Sequence, residues 1–372
     1  METVKYEEVI ETKSPSLEPT ISICMIVKDE EKNLTEMLPH LKEFADEIVV
    51  IDTGSTDNSQ QLAKDAGCVV GRYFWKDDFA TARNQSLKLA TQDYILWMDA
   101  DDILAQEEYE KIKASLKQFP GKALWVRLMD LRANAQFESV QLRVFPNNRG
   151  VVFHRRVHEQ ALVSVRAQGI EIEATDAIIG HTGYVDEAIT AEKVKRNLRL
   201  LELDCAEWPW DFAQKVMLAR TLLAQGDTDR CLEITADLMA RYKTWNEPIF
   251  KDSLLMAFIT KSSAENEKGD VKEAIKTLNS CKYIFQDNVQ VHLHVGELYY
   301  KQGDYKNAYD NLKHIGRKKT LELTLFPTDA NNMLKAARYY LMISSLHVGD
   351  FRTAEFCIQM TTGNSKYTIK SK

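Results

Sequence analysis

The chain has 372 residues, of which 44% are hydrophobic and 28% charged, the composition of an ordinary soluble protein of one to three domains. A net charge of −7 gives no support for a nucleic-acid surface, and no apolar run is long enough to span a bilayer. Residues 1–20 are polar and acidic, an N-terminal extension without the apolar core of a signal peptide. The six cysteines show no CxxC spacing and lie mostly in apolar segments. They read as reduced thiols rather than a disulfide or zinc framework, so a cytoplasmic location is expected.

From residue 21 to about 185, β-rich runs alternate with helical ones. ISICMIV predicts a strand, followed by a polar helix from Glu30 to Phe44, and EIVVIDT a second strand before a helix opened by GSTDNS. CVVGRYF, DFATARNQSLKLAT and YILWMD continue as strand, helix, strand. This alternation predicts a parallel, helix-covered sheet whose ligands bind beyond the carboxyl ends of the strands. ALWVRLMDL, SVQLRVF, VVFHRRV and AIIGHTGY read as further strands.

From residue 186 to 372 the pattern is helical. Gly-Asp pairs recur at Gly226, Gly269, Gly303 and Gly349, each between apolar helical runs. Gly269 and Gly303 stand 34 residues apart, the tetratricopeptide period, whereas the flanking intervals are 43 and 46. A tetratricopeptide-like array is a binding or dimerisation surface, not a source of chemistry. The Lys-rich end NSKYTIKSK reads as a solvated terminus.

Chemistry concentrates where YILWM runs into Asp99, Asp101 and Asp102. Strand alternation projects Asp99 and Asp101 from the same side, and two hard oxygen ligands there suit Mg²⁺ or Mn²⁺ holding a diphosphate. An isolated DxD is also compatible with a solvated acidic turn. Asp52 ends the second strand, where a carboxylate can accept from a base imide or ribose hydroxyl, or merely cap a turn. The backbone near Val27 and Lys28 lines the same place. Trp75, Phe79 and Trp97 read as core rather than stacking platforms, and His292 and His294 point apart on a helix.

Taken in order, IVKDEE, VIDTGSTD, DFATARNQSL, Asp99–Asp101, LRVF, RRVHEQ and IIGHTGY resemble the family 2 glycosyltransferases of the GT-A fold. The resemblance implies an α/β GT-A nucleotide-sugar domain over 21–185, followed by the all-α repeat domain over 186–372. Through it, Asp52 is assigned to uridine, together with the Val27, Lys28 and Asp29 loop, where Asp29 replaces a commoner Asn. Asp99 is assigned to ribose or metal, Asp101 to the metal as principal ligand, Arg83 to the diphosphate and His181 to the metal or diphosphate. The repeat tail is similar to that of the S-glycosyltransferases of glycosylated bacteriocins such as sublancin.

The implied activity is an inverting, metal-dependent hexosyl transfer from a UDP-sugar to a peptide side chain, Cys or Ser/Thr. Such a displacement needs a base opposite the leaving group, and Glu159 and His158 are the candidates. A Cys acceptor needs a weaker base, because thiolate forms near neutral pH. The repeats are then expected to hold the acceptor or a second copy of the chain, and a fragment ending near 185 to keep donor binding. Alternatives are a saccharide or lipid acceptor in envelope or capsule assembly, a non-catalytic repeat scaffold, and a nucleotidyltransferase. The last is disfavoured because no Gly-rich phosphate loop follows the first strand.

Overall fold

Ile21–Val27 (β1) and Tyr94–Met98 (β4) are apolar on both sides and buried almost throughout, which places them at the centre of a helix-covered sheet. The structure is a computed structural model that describes residues 18–131, 138–183, 187–241, 251–286, 288–316, 318 and 329–362. Residues 1–17, the expected boundary at 185 and 186, and the Lys-rich tail lie outside the described residues.

Glu47–Asp52 (β2), Val69–Arg72 (β3), Asp102–Ile103 (β5), Ala123–Asp130 (β6), Glu138–Pro146 (β7) and Ile172–His181 (β8) complete the sheet. Its order is β3-β2-β1-β4-β7-β6-β8-β5. β3, β2, β1 and β4 form a continuous parallel block and β6 is parallel to β8, but β7 between them runs antiparallel to both β4 and β6. Chain length explains the difference. Only seven residues separate Asp130 from Glu138, too few for a parallel crossover.

On one face, Leu34, Leu38 and Leu41 of Glu31–Leu41 (α1) pack with Tyr109, Ile112 and Leu116 of Gln106–Gln118 (α4). Ser59–Asp65 (α2) joins them through Ala63. The other face carries Phe79–Leu89 (α3) and Leu162–Ala167 (α5). Neither α4 nor α5 is anticipated by the sequence reading.

VVFHRRV departs most from expectation. It is not a strand but a loop closed by a bridge between His154 and Gln160, with Arg155 and His158 left-handed at φ 82° and 54°. Its backbone is satisfied by side chains, by the Phe79 amide and by its own bridge instead of a neighbouring strand, as described below.

The helical half comprises Glu187–Glu207 (α6), Phe212–Ala224 (α7), Thr228–Arg241 (α8), Lys251–Glu267 (α9) and Val271–Cys281 (α10). Val289–Lys301 (α11), Tyr305–Leu312 (α12), Ala330–Val348 (α13) and Phe351–Thr362 (α14) follow. Every Gly-Asp pair is one device. Gly303 ends α11 at φ 77°, the Asp304 amide returns to the Tyr299 carbonyl at 2.9 Å, and the Asp304 carboxylate accepts from Asn307 N at 3.1 Å to cap α12. Glycine closes one helix while aspartate opens the next. Gly303→Ala and Asp304→Ala are each expected to cost about 1 kcal/mol in denaturant titrations, the first from left-handed strain and the second from the lost cap.

The two halves share a core. Val157 is buried among Leu200, Leu201, Leu218 and Leu222, with Trp75 and Phe79 packed against the same cluster. Arg199 pairs with Asp77 at 2.6 Å and Arg155 with Asp211 at 2.7 Å. Apolar side chains of this kind each contribute roughly 1.5–3 kcal/mol when fully buried. A fragment ending near 185 is therefore expected to be insoluble or partly unfolded rather than an independent donor-binding domain. Expression of that fragment with circular dichroism and size-exclusion chromatography checks it.

Candidate active site

The ends of β1 and β2 lie side by side, with Val27 opposite Asp52 in the ladder. The Thr53 amide and hydroxyl both donate to the Val27 carbonyl at 2.9 Å. Asp52 is buried, and its Oδ1 accepts from the amides of Gly54 at 2.7 Å and Ser55 at 2.9 Å. One carboxylate oxygen therefore fixes the turn. The loop after β1 is laced to this turn: Asp29 N donates to Ser55 Oγ at 2.9 Å, and Asp29 Oδ1 accepts from Thr56 N at 2.6 Å. Val27, Lys28, Asp29 and Asp52 thus lie together at the carboxyl ends of β1 and β2, with Lys28 exposed.

Beyond the carboxyl end of β4 lies an ion network. Arg83, 4% exposed, donates from Nη2 to Asp99 Oδ1 and from Nε to Glu159 Oε1, both at 2.5 Å. Arg143, 1% exposed, donates to Asp102 Oδ2 at 2.9 Å and lies 3.7 Å from Asp99 Oδ2. Both guanidinium groups lie over the Trp97 ring, at 4.4 Å for Arg83 and 3.7 Å for Arg143. Partial loss of water opposes ionisation of Asp99, but Arg83 and then Arg143 outweigh it and hold the carboxyl at about 2. Arg83 thus commits Nε and Nη2 to carboxylates, and its Nη1 donates to the Met98 carbonyl at 3.4 Å.

Asp101 belongs to a different group. β4 stops at Met98, and Asp99 N donates to Asp102 Oδ2 at 2.8 Å to tighten a turn, so strand alternation does not reach Asp101. β5 then pairs Asp102 with His181 of β8. His181 Nδ1 lies 2.9 Å from Asp102 Oδ1 and 3.6 Å from Asp101 Oδ1. Ligand atoms of Asp101, Asp102 and His181 all fall within 4.8 Å of one another. The bond to Asp102 raises the basicity of His181 against the effect of burial, while burial pushes the Asp101 carboxyl up. A cavity of about 390 Å³, lined by Met37, Leu41 and Leu104 among others, opens beside Asp101.

His158 and Glu159 face different surroundings. Glu159 meets Arg83, whereas His158 is half-buried near Arg220 and Arg155, and the loss of water around it pushes its imidazolium towards the neutral form. Trp97 packs in the sheet core as expected, while Trp75 and Phe79 pack at the junction with the helices. Asp102 and Arg143 went unassigned from sequence. The signals were present: a third acid directly after the DxD, and a lone arginine in the otherwise apolar LRVF.

Residues 22–156 match the family model described as Glycosyl transferase family 2. A TPR repeat-containing protein of Synechococcus elongatus is 33% identical over 217 residues, covering 56% of this chain and 53% of that protein. The SPbeta prophage-derived glycosyltransferase SunS of Bacillus subtilis is 29% identical over 211 residues, covering 54% of this chain and 50% of that protein. The chain thus spans about half the length of these curated relatives. Among solved structures, S. aureus TarS aligns at 15% identity over 78% of this chain and 88% of the other, with a TM-score of 0.38.

Proposed function

We propose that this chain, whose residues 22–156 form a family 2 glycosyltransferase domain, moves a hexose from a UDP-sugar to a peptide side chain with inversion. The observation that carries the reading is the convergence at the strand ends of two separate groups: Asp101 with Asp102 and His181, and Glu159 held by Arg83. Two carboxylates and an imidazole fit Mg²⁺ or Mn²⁺, with Asp101 and His181 as ligands and Asp102 orienting the ring through Nδ1. When bound, such an ion supplies Lewis-acid stabilisation of the diphosphate leaving group.

The remaining work falls to side chains. Asp52 and the Val27–Asp29 loop receive the nucleoside, with one Asp52 oxygen left to the turn. Asp99, kept ionised by Arg83 and Arg143, accepts from ribose. Glu159 takes the acceptor proton from the face opposite the leaving group. Peptide as acceptor class is supported by the repeat helices and by the likeness to SunS, and those helices are the expected seat of the remote part of the acceptor or of a second copy.

Incubation with a panel of UDP-sugars, with and without Mn²⁺, tests the reading through UDP release and the intact mass of Cys- and Ser/Thr-containing peptides. A mass gain of one hexose on peptide is expected. Metal-dependent UDP release with transfer only to sugars or lipids would redirect the acceptor, and no UDP binding at all would leave a scaffold.

A further inference from the structure

The loop that carries Glu159 is held from outside its own domain. Asp204 of α6 accepts the Arg156 amide at 2.9 Å, and Gln214 of α7 donates from Nε2 to the Val157 carbonyl at 2.8 Å and to Asp204 Oδ2 at 2.6 Å. Both side chains are essentially inaccessible to solvent. Arg155 is gripped by Asp211 through two bonds, at 2.7 and 3.0 Å. From the other side, the Phe79 amide donates to the Arg156 carbonyl at 2.9 Å, and Asn84 exchanges two hydrogen bonds with the Phe153 backbone.

Three facts distinguish this clamp from ordinary packing. The loop has two left-handed non-glycine residues, Arg155 and His158, a conformation that persists only where its surroundings over-determine it. Burial favours the neutral form of Asp204, yet the carboxylate is supplied with an amide and a side-chain donor. Gln214 Oε1 is buried without a hydrogen-bond partner among the described residues, a cost the fold carries while Nε2 serves two acceptors.

We propose that Asp204 and Gln214 are positioning residues for glycosyl transfer: the first helices of the repeat half fix the Val157 peptide and thereby the Glu159 carboxylate. The proposal rests on the assignment of Glu159 as base. Anything that shifts α6 or α7, including a ligand on the repeats, then acts on turnover through this peptide.

The test is a double-mutant cycle in the full chain. Gln214→Leu and Asp204→Ala are expected to lower turnover about tenfold or more while UDP affinity changes less than twofold, since misplacement by about 1 Å is costly. Asp204→Asn, which retains an acceptor for the Arg156 amide, should recover most of the loss and stays informative if Asp204→Ala does not fold. In a Glu159→Gln background the same substitutions should add less than twofold. Equal losses in both backgrounds would overturn the positioning role, as would unchanged hydrogen-exchange protection over residues 154–160 in Gln214→Leu. Wild-type turnover in Glu159→Gln alone would instead remove the base assignment.

Discussion

Asp101→Ala is expected to lose about 10²-fold or more of metal-dependent turnover while keeping its fold, since deleting a transition-state charge stabiliser commonly costs a few kcal/mol. Geometry makes Asp101 the informative acid of the three. Its carboxyl is pushed up by burial, an effect that His181 opposes and that Asp99 and Asp102 add to. Asp99→Ala would damage turnover nearly as much, but it takes an ion partner from Arg83 and leaves Arg143 with one fewer. Asp102→Ala removes the closest partner of Arg143 and the support of His181. Breaking a buried pair costs roughly 3–5 kcal/mol, so those two variants mix folding with chemistry. The measurement is UDP release against Mn²⁺ concentration, with thermal melts as the control on folding. Near wild-type transfer in folded Asp101→Ala would sink the metal assignment.

Much of the sheet-containing half was legible because its strands are short, apolar and punctuated by polar turns. ISICMIV, EIVVID and YILWM appear where their composition places them, and all four Gly-Asp pairs are helix-to-helix turns. What failed to show was long-range. VVFHRRV has the composition of a strand, but its amides and carbonyls meet Asp204, Gln214 and Phe79, groups distant in sequence. Strand alternation ends at Met98, short of Asp101, and Asp102 has no local signal because its partners, Arg143 and His181, come from other strands. A local pattern reports the face of a strand; it cannot report which distant charge waits there.

The same limit bears on the base. Sequence favours Glu159 over its neighbour His158, and their environments separate them in the same sense. Glu159→Gln preserves shape and an acceptor for Arg83 Nε while removing the charge, so turnover is expected to fall about 10²-fold or more with UDP-sugar affinity little changed. His158→Ala is expected to act on stability. Because burial depresses its pKa, the folded state holds the imidazole neutral; the resulting stability is present above the ordinary value near 6.5 and is lost as pH falls through the depressed folded value. The variant should therefore flatten the acid side of the stability profile while leaving turnover per folded molecule unchanged. With a thiol acceptor, the Glu159→Gln deficit should shrink as pH rises, because the acceptor arrives already ionised. A hydroxyl acceptor offers no such relief below its own far higher pKa. One pH series on Glu159→Gln thus reads both the base and the acceptor atom, and a larger rate loss in His158→Ala than in Glu159→Gln would reverse the assignment.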